Sequence, residues 1–344
     1  MYAKLVVGGS QINVFSAMRD IGRLITSSSP SLSLVSAFNA ASSVIIDNTP
    51  AGWTYVGSTQ SADRPDIAAT GAAAITTGQF NLCFSAPMQN SPSLLKYAAL
   101  TNNSTLLAYT SAGTGFHLTG ARSATSLGVL TNEGPRYFST NTDLTRFAGT
   151  NITVDAGVVL HLIANPQHIT IVIEGVGMAA VWETTPTEVQ TFYNYPALVQ
   201  YSHYKSSTLT QTVIYAPTQL APASALTTSW SASSFAVTNP NNGTFYGVYD
   251  VSNTGTLNTV SLINSVSTSL RVNTISATGA PQYAISPIFF TNTLIGHPTQ
   301  FVTGPVPVYY VSGAMGNTGD SVSVSGDTYF FFNAGAFGLL MKTT

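Results

Sequence analysis

Val158-Val159-Leu160-His161-Leu162-Ile163-Ala164-Asn165-Pro166-Gln167-His168-Ile169-Thr170-Ile171-Val172-Ile173-Glu174-Gly175 is the stretch that decides the fold class. Val158 to Ile163 is an apolar strand broken only by His161. Asn165-Pro166 turns the chain, because proline fixes φ and its predecessor is held extended. Ile169, Ile171 and Ile173 then alternate with Thr170, Val172 and Glu174 until Gly175 ends the run, the two-residue period of a β-strand.

The same pattern spreads outward from residue 31 to the end. Short strands recur at intervals of about 8–12 residues, punctuated by Gly, Pro, Asn and Ser. Phe235-Ala236-Val237 and Phe245 to Tyr249 flank Asn239-Pro240-Asn241-Asn242-Gly243, a hairpin signal. Val322 and Val324 alternate with serines, Gly326-Asp327 turns, and Tyr329 to Phe332 returns. The expected class is mainly β, with β-sandwich or jelly-roll-like modules.

One segment departs from this. Lys4 to Val7 reads as a short strand stopped by Gly8-Gly9, and Ser10 is placed to cap a helix over 11–26. Ile12, Phe15, Met18, Ile21 and Ile25 recur at helical spacing, with Arg19, Asp20 and Arg23 mostly off that stripe. This one short amphipathic helix either packs on its own domain or docks a neighbour. On the docking reading Leu5, Val7, Ile12, Phe15, Ile21 and Ile25 carry assembly, and deletion of residues 1–26 leaves a folded chain that cannot assemble. The expected units are a strand–helix docking segment at 1–30, a connecting β segment at 31–66, a β-sandwich domain at 67–216 and a C-terminal β domain at 217–344.

Charge is scarce. The chain has 11 basic and 13 acidic side chains among 344 residues, a net charge of −2 and 7% charged residues, against roughly 25% in an ordinary soluble domain. Between Lys205 and Asp320 the only ionised side chains are Asp250 and Arg271. Such a stretch cannot form an ordinary charged surface, so it is expected either to be covered by neighbours or to present a Ser/Thr/Asn-rich face. So few cations do not serve phosphate neutralisation, so no nucleic-acid partner is expected. No apolar run reaches the ~18 residues of a membrane helix, so no membrane insertion is expected. The first residues show no signal-like apolar core, so export by a cleaved signal is not expected. With Cys83 as the single cysteine, no intrachain disulfide can form.

The candidate chemistry is thin. His161 and His168 flank one turn, but no carboxylate or thiol accompanies them at zinc-ligand spacing. Asp63-Arg64-Pro65-Asp66 reads as a salt-bridged turn rather than an acid–base pair. Glu183 and Glu188, around Pro186 and beside Trp182, have the residue types of a glycosidase pair, yet a capped turn beside a buried Trp fits them better. Gly175-Val176-Gly177 lacks the third glycine of a dinucleotide loop. Cys83 in Phe80-Asn81-Leu82-Cys83-Phe84 reads as a core thiol. No catalytic, cofactor or metal site is expected. Aromatic residues such as Trp182 and Tyr201 are candidates for contact with a glycan, against the alternative that they fill a core.

Several scattered stretches carry a likeness. His168-Ile169-Thr170-Ile171-Val172-Ile173 followed by Trp182-Glu183 and Tyr195-Pro196-Ala197 resembles a pattern in virion proteins of tailed bacteriophages, above all tail and baseplate proteins. Gly326-Asp327-Thr328-Tyr329-Phe330-Phe331-Phe332 with Gly338-Leu339-Leu340-Met341-Lys342 resembles the closing strands of such proteins. Ala17-Met18-Arg19-Asp20-Ile21-Gly22 and Pro50-Ala51-Gly52-Trp53-Thr54 are similar to cyanophage structural proteins. The resemblance implies a virion subunit, made in the host bacterial cytoplasm, at a tail tip, baseplate or fibre attachment point. It also implies other virion proteins as partners and homo-oligomerisation of unspecified symmetry. A capsid decoration or head-fibre protein is the alternative, and an adhesin for a host surface glycan is another. It implies no catalytic residue.

Overall fold

The structure, a computed structural model, describes residues 1–58, 81–89, 91–101, 117–126, 130–133, 153–184, 198–204, 210–215, 244–246, 259–262, 285–288, 290–293, 300–302, 306–312, 316–334 and 337–343. Among them the protein is mainly β: 23 strands and one α-helix, every strand pair antiparallel. No helix among the described residues is long and apolar enough to cross a membrane.

The deciding stretch lies inside the largest sheet. β1 (Tyr2–Val6), β3 (Val44–Asp47), β10 (Val159–Asn165), β11 (His168–Ile173), β12 (Gly177–Glu183), β13 (Leu198–Tyr204) and β14 (Thr210–Tyr215) form seven strands in the order β14-β13-β12-β11-β10-β1-β3. β1 is thus an interior strand, paired with β10 through Leu5 opposite Leu160 and with β3 through Ala3 opposite Ile45. All six residues of β11 are buried. The alternation read there as apolar against polar is therefore an alternation between two covered faces. Leu5, Leu160, Leu162, Ile169, Ile171, Ile173 and Val181 join one core cluster. Tyr2, His161, Thr170 and Trp182 lie on the opposite face and are equally enclosed.

The first face is covered by the helix and a second sheet. β2 (Ile12–Asn13) pairs with β9 (Thr153–Val154), and α1 (Val14–Thr26) follows directly. Asn13 caps α1, its side-chain oxygen accepting from Phe15 N–H at 2.8 Å. The cap is three residues beyond the expected Ser10, because Ile12 and Asn13 are drawn into a strand pair first. At the other end Ser27 is extended and Pro30 follows. Val14, Phe15, Met18, Ile21, Leu24 and Ile25 are buried, and fully burying such side chains stabilises by roughly 1.5–3 kcal/mol each. β4 (Thr54–Ser58), β5 (Asn81–Met88), β6 (Ser91–Thr101), β7 (His117–Ala124) and β8 (Leu130–Glu133) make a five-stranded sheet in sequence order. Gly22 lets α1 approach this sheet closely, since a Cβ there would run into Leu82 Cδ2. Gly120 does the same for the two sheets: a Cβ would lie 2.8 Å from Leu198 Cδ2 and 3.3 Å from Val181 Cγ1.

The opposite face meets the C-terminal part. β17 (Ile285–Ile288), β20 (Val306–Ser312), β21 (Ser321–Val324), β22 (Asp327–Asn333) and β23 (Phe337–Lys342) form a sheet in the order β17-β20-β23-β22-β21. Phe330 of β22 packs its ring 5.7 Å from Tyr2 and 4.9 Å from His161. β15 (Thr244–Tyr246), β16 (Thr259–Leu262), β18 (Phe290–Thr293) and β19 (Gln300–Val302) form a further four-stranded sheet.

Sequence neighbours pair from β10 to β14 in the large sheet and throughout the β4–β8 sheet, while β1 stands between β10 and β3, a crossover between non-consecutive strands. One expectation changes here. Residues 1–30 are not a separate unit, because β1 shares its sheet with β10–β14, and the 66/67 boundary is bridged by β4 pairing with β5. The expected hairpin at Val322–Phe332 is present, with Ser325-Gly326 as its turn. β15 pairs with β16, while the expected partner at 235–237 and the boundary near 217 lie outside the described residues.

Candidate functional site

Leu5, Val7, Phe15, Ile21 and Ile25 are buried in the chain's own core, and Ile12 packs against the same cluster, partly buried. The side chains expected to dock a neighbour therefore hold this chain together. A strand with partners on both edges and a helix enclosed by two sheets offer no free face.

The charge around α1 follows the same logic. Asp20 is fully buried; its Oδ2 accepts from Ala37 N–H at 2.6 Å, and its Oδ1 lies 3.5 Å from Arg19 Nε and from Arg23 Nη1. Burial raises its pKa above the usual carboxylate range, against the opposing pull of the Ala37 amide and the two arginines.

Glu183, expected in a capped turn beside a buried Trp rather than in an acid pair, is likewise sealed. Lys96 Nζ of β6 lies 2.6 Å from its Oε2, and Gln89 N–H donates to its Oε1 at 2.7 Å. The ammonium also donates to Pro87 O at 2.7 Å and stands 5.4 Å from the Trp53 ring centroid. Burial pulls the Lys96 pKa down, and Glu183 partly restores it. Every polar atom of this pair has a partner, the condition for tolerating charge between sheets. Glu188, Asp63 and Asp66 lie outside the described residues.

Trp182 is fully enclosed, its indole N–H donating to Thr170 Oγ1 at 3.0 Å. That corrects the glycan expectation for this residue: a ring with no exposed surface cannot stack on a sugar. Tyr201 sits in β13 opposite Ala180.

A second polar line crosses β1 and β10. The Tyr2 hydroxyl lies 3.0 Å from His161 Nδ1, and His161 Nε2 lies 2.7 Å from Glu174 Oε1. A neutral imidazole donating from Nε2 to the carboxylate and accepting the phenol proton at Nδ1 satisfies all three groups. Burial lowers the His161 pKa, against the pull of Glu174, and burial with Glu174 pushes Tyr2 up to about 12. The phenol therefore stays protonated, which fits a structural link and not a nucleophile. His168, which flanks the same turn as His161, is fully buried, and neither ring nitrogen has a hydrogen-bond partner among the described residues. Burial pulls its pKa down to about 3. Among the described residues no group of three or more His, Cys, Asp or Glu side chains is placed to hold a metal ion. Cys83 is buried with Ala99, Ala121 and Leu130.

Sequence reasoning missed both the Lys96–Glu183 pair and the Tyr2–His161–Glu174 line. The one available signal was a lone ionisable residue inside an apolar strand: Lys96 in Leu94-Leu95-Lys96-Tyr97-Ala98, and His161 between Leu160 and Leu162. Their partners lie 87 and 159 residues away, and only strand register brings them together.

The exposed features lie elsewhere. β3 is an outer strand of the large sheet among the described residues, with Val44 and Ile46 at 44% and 53% exposure. A register shift opposite Tyr2 and Ala3 leaves Ile46 unmatched, and by the strand's alternation it shares the exposed side with Val44. A cleft of about 360 Å³ opens at the end of α1, lined by Arg23, Ser27, Ser28, Trp53, Thr54 and Tyr55 among others.

Comparison with protein-family models, with curated proteins and with solved structures yields no match for this chain.

Proposed function

We propose that this chain is a structural subunit of a tailed-bacteriophage virion, at the tail tip, baseplate or fibre attachment point, working through protein–protein assembly. One observation carries the reading: a chain already poor in charge buries part of what it has. Asp20, Arg23, Lys96 and Glu183 are all 6% exposed or less, in a protein with only 11 basic and 13 acidic side chains. That leaves at most 20 of the 24 Lys, Arg, Asp and Glu side chains to face outward. Interface cores are depleted in charge in the same way, and a surface with little self-repulsion packs against neighbours readily. The motifs that resemble phage tail proteins agree with this reading, as does the stacking of antiparallel layers, which we read as β-sandwich modules.

The docking element passes from the N-terminal segment to β3. Among the described residues no further strand pairs with its outer edge, and it carries two exposed branched aliphatics, a template for a strand of a neighbouring virion protein or another copy of the chain. No catalytic role is assigned. The test labels purified virions with an antibody against this chain and images them by electron microscopy. Label at the tail end is the expected result. Label over the head converts the reading to a decoration protein, and particles without label overturn it. In the same system a Val44→Lys/Ile46→Lys chain is expected to fold and to be excluded from particles.

A further inference from the structure

The C-terminal sheet carries a small pocket of about 220 Å³ lined by Tyr309, Val324, Ser325, Asp327, Tyr329 and Leu340. Tyr309 is 37% exposed and meets Tyr329 edge-on, with ring centroids 5.7 Å apart at 85°. Lys342 Nζ, beside the pocket, lies 2.9 Å from Asp327 Oδ1, and both side chains are about half exposed, at 50% and 43%. The Tyr329 hydroxyl points at Asp327 Oδ2 across a long 3.4 Å. We infer that this pocket binds a single neutral pyranose unit of a polysaccharide.

Three properties select that chemistry. The Asp327 and Lys342 charges cancel, so the pocket favours neither an anion nor a cation, yet the pair supplies an acceptor and a donor side by side. Vicinal sugar hydroxyls, each both donor and acceptor, match such a pair. The Tyr309 ring adds an apolar face at the rim, and a ring that is already exposed and held edge-on by Tyr329 loses little freedom on stacking. Ser325 is the third: at φ +52° it is the one non-glycine residue with positive φ among the described residues, followed by Gly326 at +91°. That two-residue turn favours Asn-Gly or Gly-Gly. A serine held in the left-handed region beside a pocket is the kind of local strain that accompanies ligand contact, here through its hydroxyl.

The cleft at the end of α1 is larger but offers less. Trp53 is 3% exposed and its indole N–H is committed to Asn165 O at 2.9 Å.

The experiment is saturation-transfer NMR on the full chain with methyl glucopyranoside, methyl mannopyranoside, methyl galactopyranoside and N-acetylglucosamine, alongside an array of bacterial polysaccharides. At least one pyranoside is expected to show saturation concentrated on one ring face. Tyr309→Ala and Asp327→Asn should each weaken binding about tenfold, a loss of roughly 1.4 kcal/mol. Near-ultraviolet circular dichroism checks that both variants keep their fold. Ser325→Gly, which relieves the turn, should also weaken binding while leaving the unfolding midpoint equal or higher. No saturation with any pyranoside together with a flat array overturns the assignment, and so does binding that Tyr309→Ala and Asp327→Asn leave unchanged. None of these readouts requires a virion, so the pocket and the assembly role stand or fall separately.

Discussion

Lys96 and Glu183, between the first two sheets, lie 2.6 Å apart with side chains 1% and 0% exposed; Lys342 and Asp327, on the C-terminal sheet, lie 2.9 Å apart at 50% and 43%. The chemical pair is the same and its surroundings are opposite. Between the sheets both charges have left water, and their remaining polar partners (Pro87 O and Gln89 N–H) hold them in place. Each charge is then a hostage to the other, because removing one leaves the other buried and uncompensated. On the outer sheet water screens the pair, so it adds little to folding and stays available to a ligand. Position within the layers, more than residue type, decides which polar groups are architecture and which can act.

The buried side of that comparison breaks most severely at the N-terminus. Deleting residues 1–26 removes an interior strand and the one described α-helix, and exposes Leu160, Leu162 and Ile171 on the face they covered. The truncated chain is expected to be insoluble or molten, with no cooperative transition in a denaturant titration. This replaces the expectation of a folded but assembly-incompetent product; a well-folded truncation would restore it.

Lys96→Met comes next. It should cost about 3–5 kcal/mol in chemical denaturation, the usual penalty for stranding a buried charge. Lys96→Met/Glu183→Leu should recover much of that, because the uncompensated carboxylate is gone.

An effect that is small near neutral pH and grows only on acidification separates His168 from the rest of the buried set. Its folded pKa is about 3, against about 6.5 unfolded. As pH falls below about 6.5 the unfolded chain takes up a proton that the folded chain refuses. This group therefore erodes stability between about pH 6.5 and 3, by at most ~1.4 kcal/mol per pH unit. His168→Leu should flatten the stability–pH curve by one proton over that window, and an unchanged slope would show that the ring is not held neutral.

Lys342→Met closes the comparison with the smallest effect: the thermal midpoint should stay where it was. A clear drop would mean that the exposed pair is structural after all.

The fold class was legible because strands leave a local trace. Ile169-Thr170-Ile171-Val172-Ile173 shows its period within five residues, and Val322 to Phe332 shows both strands and the turn between them. α1 was legible for the same reason, apart from its cap, since nothing local reveals that Ile12 and Asn13 pair with Val154 and Thr153. What each apolar face touches was not legible. The stripe of Phe15, Ile21 and Ile25 looks the same whether it meets its own sheet or a neighbour, and Trp182 looks the same in a groove or a core. Those answers lie in register and layer order, as do the partners of Lys96 and His161. Tyr309, Tyr329, Asp327 and Lys342 likewise converge only because β20, β22 and β23 are neighbours in one sheet.

The most direct measurement is hydrogen–deuterium exchange of this chain, free and within purified virions, resolved at Tyr2–Val6, α1 and Val44–Asp47. The account predicts that β1 and α1 are already protected in the free chain and unchanged on assembly, while β3 gains protection in the particle. Rapid exchange over residues 2–26 in the free chain, suppressed only in the particle, would contradict it and return docking to the N-terminal segment.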